Sequence, residues 1–457
     1  MDRRFRVRRE AILAECQVSV NAVSDLHDHL QRFVQPFAAC LQVKEQQQHT
    51  QDYVAGLLSG LERKNAEAIA YLHNHDRRSL QRFLGEVPWE HYPLQRLLVQ
   101  QVGHELGEAE GVIVFDPSGF AKKGTKSVGV ARQWLGRLGK VDNGQVGIYM
   151  GYASSREHTL VDFRLYLPKE WATDRRRRKE AGVPREVRYQ TRHAQALDML
   201  AKSGPLLPHA WVVGDDEMGR PSRFRCDLRE RNERYLLAVP SNTNIRDQEE
   251  PLSPTTGRGR PRKAKWRRVD QWRETLPNRS WMRVEVRPGE KGPLIVEVVK
   301  RRVKARTEHR QEGPEEILVV FRVKEDNGDW KHDYFLSNAP YDTPLTEFAR
   351  AFKALHRIEE CLQRAKGEAG LAHYEVRTWL GWHHHQILSL MATWFLVQET
   401  RAKKKPDAGT DGAPGAYHVG KCPARPVAEP HARVYSWRVS APVAAERRRT
   451  LLALENP

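Results

Sequence analysis

The chain has 457 residues, too many for one compact core, and 39% hydrophobic residues, enough to exclude wholesale disorder. No run of about 18 uncharged apolar residues occurs, so no membrane-spanning helix is expected. Lys and Arg outnumber Asp and Glu by 76 to 58, a formal net charge of +18. Such an excess points to a polyanionic partner, nucleic acid first and an anionic membrane surface second, against the plainer reading of an Arg-rich composition.

In chain order, the first hundred residues predict helices. Leu30, Phe33, Phe37 and Leu41 recur at three and four, one face of a helix, and YVAGLLSGLERKNAEAIAYL does the same. Pro88 breaks the pattern before PLQRLLVQQVGHEL. At Gly111 the pattern changes. GVIVFD, QVGIYMGYAS and TLVDFRLYLP read as strands, then DRRRRKEAGVPRE as a basic loop and TRHAQALDMLAKSG as a helix. WVVGDDEMG reads as a strand ending in acid, RFRCDLRERN as a short helix and YLLAVP as a further strand. That order is α/β. From about Ser241 the hairpin-spaced runs WMRVEVR, LIVEVVKRRV, ILVVFRVK and HDYFLSN predict a mostly β insertion, and the helical period returns from Pro344 to Gln398. The expected organisation is a helical, candidate DNA-binding domain over 1–108, a catalytic core over 109–240 and 339–400, the β insertion over 241–338 and a basic tail over 401–457, expected to be poorly ordered.

Five cysteines lie far apart with no CxxC pair, which supports neither a zinc ribbon nor a disulfide framework and suits a reduced, cytoplasmic setting. The N-terminus MDRRFRVRREAIL has no apolar stretch of the kind a secretory signal needs.

Acids carry the chemistry. Asp116, in FDPSGF, and Asp215, in VVGDDEMG, each end a buried strand, where α/β sheets place their ligands. A third acid would come from the helix LHRIEECLQRAKGE, where Glu359 and Lys366 share a face two turns apart, Glu360 points about 100° away, and Glu368 also lies off that face. Three carboxylates with no His or Cys cluster suit two Mg²⁺ or Mn²⁺ ions in phosphodiester cleavage. Taken singly, an Asp after a strand is a turn or cap residue, and an IEE on an amphipathic helix is a solvated face.

Three long words occur in order: VFDPSGFAKKGTKSVGVARQWLGRLGKVDNGQVGIYMGY, WVVGDDEMGRPSRFRCDLRERNERYLLAVP and HRIEECLQRAKGEAGLAHYEVRTWLGWHHHQILSLMA. They resemble the three catalytic segments of DDE transposases encoded by bacterial insertion sequences, over roughly residues 30–400. The resemblance implies an RNase-H-like mixed sheet with flanking helices and a β insertion between the second Asp and the Glu. It implies Asp116, Asp215 (Asp216 competing) and Glu359 as catalytic, metal-holding residues. Lys366 falls where the family has a DNA-contacting Lys. The family signature has Tyr and Arg seven and four residues before the Glu; Phe352 and Leu355 stand there, so Arg357 or Lys353 would have to clamp phosphate. Pro117 replaces an acid. The implied partners are the double-stranded ends and target DNA, bound by a homodimer. The other readings are a catalytically inactive, transposase-derived DNA-binding protein and an RNase-H-like nuclease of no mobile element.

Lys122, Lys123 and Lys126 follow Asp116 and would meet DNA phosphates near the scissile bond; the alternative is a solvated loop. Arg175 to Lys179 are read as DNA-backbone contacts or a solvated face, and GRGRPRK, from Gly257, as a minor-groove hook or a basic linker. Trp266, Trp272 and Trp281 are expected in the core of the β insertion, with base stacking the alternative. His383, His384 and His385 are consecutive on a helix, so they cannot all face one metal.

Overall fold

The computed structural model describes residues 20–251, 263–287, 294–325 and 327–404. The Gly257–Arg262 part of the hook and the tail beyond residue 404 lie outside them. Five helices come first: α1 (Val20–Ala38), α2 (Lys44–Leu58), α3 (Ala66–Leu72), α4 (Arg77–Gly85) and α5 (Tyr92–Leu106). Asn65 and Asp76 cap α3 and α4 by accepting the amides of Ala68 and Arg78.

The sheet follows. Strands β1 (Val112–Ala121), β2 (Ala131–Leu135), β3 (Lys140–Ala153) and β4 (His158–Leu165) lead to α6 (Lys169–Thr173), α7 (Arg175–Glu180) and α8 (Arg192–Ser203). Next come β5 (Trp211–Gly214), α9 (Asp216–Gly219), α10 (Ser222–Glu230) and β6 (Tyr235–Ala238). β1 pairs with β3 antiparallel and with β5 parallel, β5 pairs with β6 parallel, and β3 also carries β4 and β2. An antiparallel meander with two parallel strands on the far side of its first strand is an RNase-H-like order, as the resemblance implied. The β2–β3 hairpin arm, paired from Ala131 to Leu135, was not among the expected strands. The basic run at 175 was expected to be a loop but is helical. Asp174 caps it, Arg177 lies 4.0 Å over the Trp171 ring, and Arg178 donates to the carbonyls of Pro184 and Val187. Those two guanidiniums satisfy internal acceptors.

The expected β insertion comprises β7 (Asn244–Asp247), β8 (Arg267–Arg268), α11 (Val269–Glu274), β9 (Met282–Arg287), β10 (Leu294–Arg306), β11 (Glu312–Lys324) and β12 (Trp330–Ser337). β12 pairs antiparallel with β6, so the insertion continues the core sheet into twelve strands. Alternation along its strands serves two cores. Val298, Val319, Phe321 and Phe335 join the main core, whereas Val299, Leu318, Val320 and Leu336 face a second cluster with Trp272 and Trp281. Trp266 instead lies between the Arg246 and Arg306 guanidiniums.

Two helices close the molecule. α12 (Leu345–Gly367) has an apolar stripe of Phe348, Phe352, Leu355, Ile358, Leu362 and Ala365 and lies across the sheet. α13 (Trp379–Lys404) is buried over most of its circumference, and one main core runs from Leu30 to Val397 through the N-terminal helices, sheet and both final helices. On α13 the three histidines diverge as expected. His383 meets the Trp379 carbonyl, His384 the Leu84 and Trp89 carbonyls, and His385 the Tyr53 hydroxyl and Gly370 carbonyl.

Candidate active site

The β1–β5 ladder ends at the pairs Val114–Val213 and Phe115–Gly214. One residue further on stand Asp116 and Asp215, so parallel pairing sets the two carboxylates side by side where the ladder stops; Asp215 follows the end of β5, whereas Asp116 lies midway along β1 and not at its end as expected. Alternation puts Val114, Asp116 and Ser118 on one face of β1. That is the face α12 covers. Gly151 is the β3 partner of Val114, and a Cβ there would lie 2.4 Å from Ile358 Cδ1, so glycine lets the helix rest on the strand. Further along, Lys366 Nζ donates to the buried Ser118 hydroxyl at 2.7 Å. Glu359, beside Ile358 and two turns before Lys366, is thereby held at the same end of the sheet.

The electrostatics agree. Asp116 is held well above the carboxylate range, by burial first, then by the charges of Asp215 and Glu359, with Lys366 pulling down and Glu217 pushing up. Asp215 is pushed up to about 7, by burial first, although its carboxylate accepts the Met218 amide at 3.0 Å as the cap of α9. Glu217 and Asp216 add to that rise, whereas Asp116 does not figure among its main causes. Two neighbouring acids that resist ionisation, with one lysine near them, form a centre short of positive charge.

The competing acids point elsewhere. Asp216 is exposed and pairs with Arg220 at 3.0 Å. Glu360 lines a cavity of about 560 Å³ beside Ser154 and the start of β1. Glu368 ends α12 next to Lys64. Glu359 is 49% exposed, 3.5 Å from His356 Nδ1, and open to solvent on its outer side. Glu217 is an acid of this centre not singled out in the sequence. Arg192 pairs with its carboxylate and His193 meets its carbonyl. Its signal was its place in DDE, two residues after Asp215.

The basic residues divide. Lys122 Nζ sits 3.5 Å over the Tyr374 ring and donates to its carbonyl, and burial lowers it to about 8. Lys123 and Lys126 are exposed. Arg357 donates to the Ser154 carbonyl at 2.6 Å, on the cavity side. Phe352, at the family's Tyr position, stacks on Phe321 at 4.3 Å, and Leu355 is buried beside it. Both positions serve the packing of α12 on the insertion, and losing the Phe352 ring would cost about 3–5 kcal/mol.

A family model described as DDE superfamily endonuclease matches residues 36–293, more than half of the chain, including Asp116 and Asp215 and stopping before Glu359. A protein of Microchaete diplosiphon, described as a probable transposase for insertion sequence element IS701, is 28% identical over 243 residues. The aligned region is 52% of this chain and spans 59% of that relative's length. A cryo-EM structure of the piggyBac transposase synaptic complex with hairpin DNA aligns at a TM-score of 0.38 with 10% identity, over 83% of this chain and 73% of that one. At that distance the likeness carries no argument.

Proposed function

Because the chain belongs to the DDE superfamily of endonucleases, we propose that it is the transposase of an insertion sequence, binding the terminal inverted repeats and catalysing strand cleavage and transfer. One observation carries the reading: the charges of Asp215, Glu359 and Lys366 all reach Asp116, on the face of the sheet that α12 covers.

The donor set fits divalent metal. Burial first, and neighbouring carboxylates second, raise Asp116 and Asp215 above the usual carboxylate range, and a divalent cation would offset both. Hard oxygen donors of this kind suit Mg²⁺ or Mn²⁺. Two such ions on Asp116, Asp215 and Glu359 would supply a water of lowered pKa and neutralise charge on the scissile phosphate. The chain does the positioning. Ser118 holds the Lys366 ammonium beside Asp116, where it can meet a phosphate oxygen as a point charge. Arg192 orients Glu217, which keeps a further negative charge beside both aspartates. Lys123 and Lys126, exposed on the loop after β1, would contact flanking phosphates, and the N-terminal helices would read the ends as part of a homodimer.

The test is cleavage of a supercoiled plasmid carrying the native element ends, with Mg²⁺ or Mn²⁺, by wild type and Glu359→Gln. Cuts at the ends by wild type alone are expected. Cutting by both would remove Glu359 from the centre. No cutting by either, with end binding retained, would leave a DNA-binding protein.

A further inference from the structure

Far along the chain from these acids, α2 and the turn between α3 and α4 gather a second set of donor groups. His49 and Asp52 are three apart on α2 and share a face. His75 comes from the turn. One donor atom from each of His49, Asp52 and His75 lies within 4.8 Å of the others. His75 Nε2 stands 2.8 Å from Asp52 Oδ2, and Gln48 donates to Oδ1 at 3.1 Å. His73 Nδ1 lies 3.7 Å from the same Oδ1.

Hydrogen bonding around His49 fixes its tautomer. The Ser79 hydroxyl donates to the Glu45 carboxylate at 3.0 Å. A hydroxyl has one hydrogen, so the Ser79 oxygen accepts from His49 Nε2 at 2.8 Å. A neutral imidazole protonated on Nε2 carries its lone pair on Nδ1. That Nδ1 is buried without a hydrogen-bond partner, in a side chain only 5% exposed. Burial also lowers the His49 pKa, favouring the neutral form a metal requires. A ring N–H held by a hydroxyl that is itself held by a carboxylate is how outer groups aim a metal-binding histidine.

We propose that His49, Asp52 and His75 bind one Zn²⁺-class cation, separate from the acidic centre, which ties α2 to the α3–α4 turn. Two imidazoles and a carboxylate favour a borderline transition metal over Mg²⁺. Three protein donors leave a fourth, tetrahedral position for water. The proton between Asp52 and His75 leaves as the cation enters.

The test uses the full chain carrying Asp116→Asn and Asp215→Asn, which removes the acidic centre from the measurement. The protein is stripped with chelator and titrated calorimetrically with ZnCl₂ in excess Mg²⁺. One Zn²⁺ per chain is expected, with a rise in melting temperature and, for Co²⁺, the visible absorption of a tetrahedral site. His49→Gln and His75→Gln should each weaken binding at least about tenfold and remove the Co²⁺ absorption. His75 is 33% exposed, so its substitution can be tested even if His49→Gln fails to fold, with circular dichroism checking both. No zinc binding by the parent chain, or binding unchanged in a folded His75→Gln, would overturn the proposal.

Discussion

Two regions of one sheet carry carboxylates drawn partly or wholly out of water and treat them in opposite ways. On β11, Glu316 is 2% exposed, and Arg225 Nε meets it at 2.9 Å and the Tyr235 hydroxyl at 2.6 Å. The pair with Glu316 binds α10 to the insertion, and Arg225 also donates to the Gly219 carbonyl at the end of α9. On β1 and just past β5, Asp116 and Asp215 have no such guanidinium among the described residues. A buried charge is tolerated only when it is paired. The first site is closed by the chain's own cation and holds the fold together. The second is left short of a cation, and that shortage is what makes it a candidate centre of reaction.

The contrast can be broken from either side. Asp116→Asn keeps the shape and removes the charge, so cleavage should fall by at least about 10²–10³-fold while end binding and folding survive. Equal loss of binding and cleavage would remove Asp116 from metal holding. Glu316→Ala should do the reverse, costing about 3–5 kcal/mol in urea unfolding because Arg225 is left buried and unpaired, with little change in the activity of whatever remains folded.

A third expectation concerns pH. Asp215 ionises at about 7 in the fold against an ordinary 3.8. A raised acid makes no difference to stability below its unfolded value. It then destabilises the fold increasingly as pH rises, with the full effect above its folded value. The metal-free chain should therefore lose up to about 4 kcal/mol between about pH 4 and pH 7. Asp215→Asn should remove the share of that loss due to Asp215, leaving the share due to the likewise raised Asp116, and Mg²⁺ should raise the melting temperature above pH 7 but not near pH 4. The smallest effect belongs to Asp216→Asn, which breaks one exposed pair with Arg220: a stability change within about 0.5 kcal/mol and cleavage retained. Loss of cleavage in that variant would move the second acid by one residue.

Local pattern carried much of this. Apolar runs bounded by turn residues marked β1, β3, β4, β5 and β6, and Lys366, expected to face the acids, reaches Ser118 beside Asp116. Pairing was less visible. Nothing in YLLAVP or HDYFLSN says that β6 and β12 lie side by side, because period-two alternation sets a strand's faces and not its neighbour. Arg177 and Arg178 read as surface charge because their carbonyl partners come from separate loops. His49, Asp52 and His75 left no trace for a similar reason: two belong to a helix and the third to a turn that only folding brings near.

The resting of α12 on Gly151 has a consequence in time. A ribosome releases β1 and β5 well before α12, and α12 packs Phe352 against Phe321 and Phe335 of the insertion. A nascent chain thus holds two of its acids early and lacks the third until residues beyond 360 have emerged and the insertion has folded. If the three acids act together as proposed, growing chains, and chains truncated before α12, would remain inert toward the DNA around them.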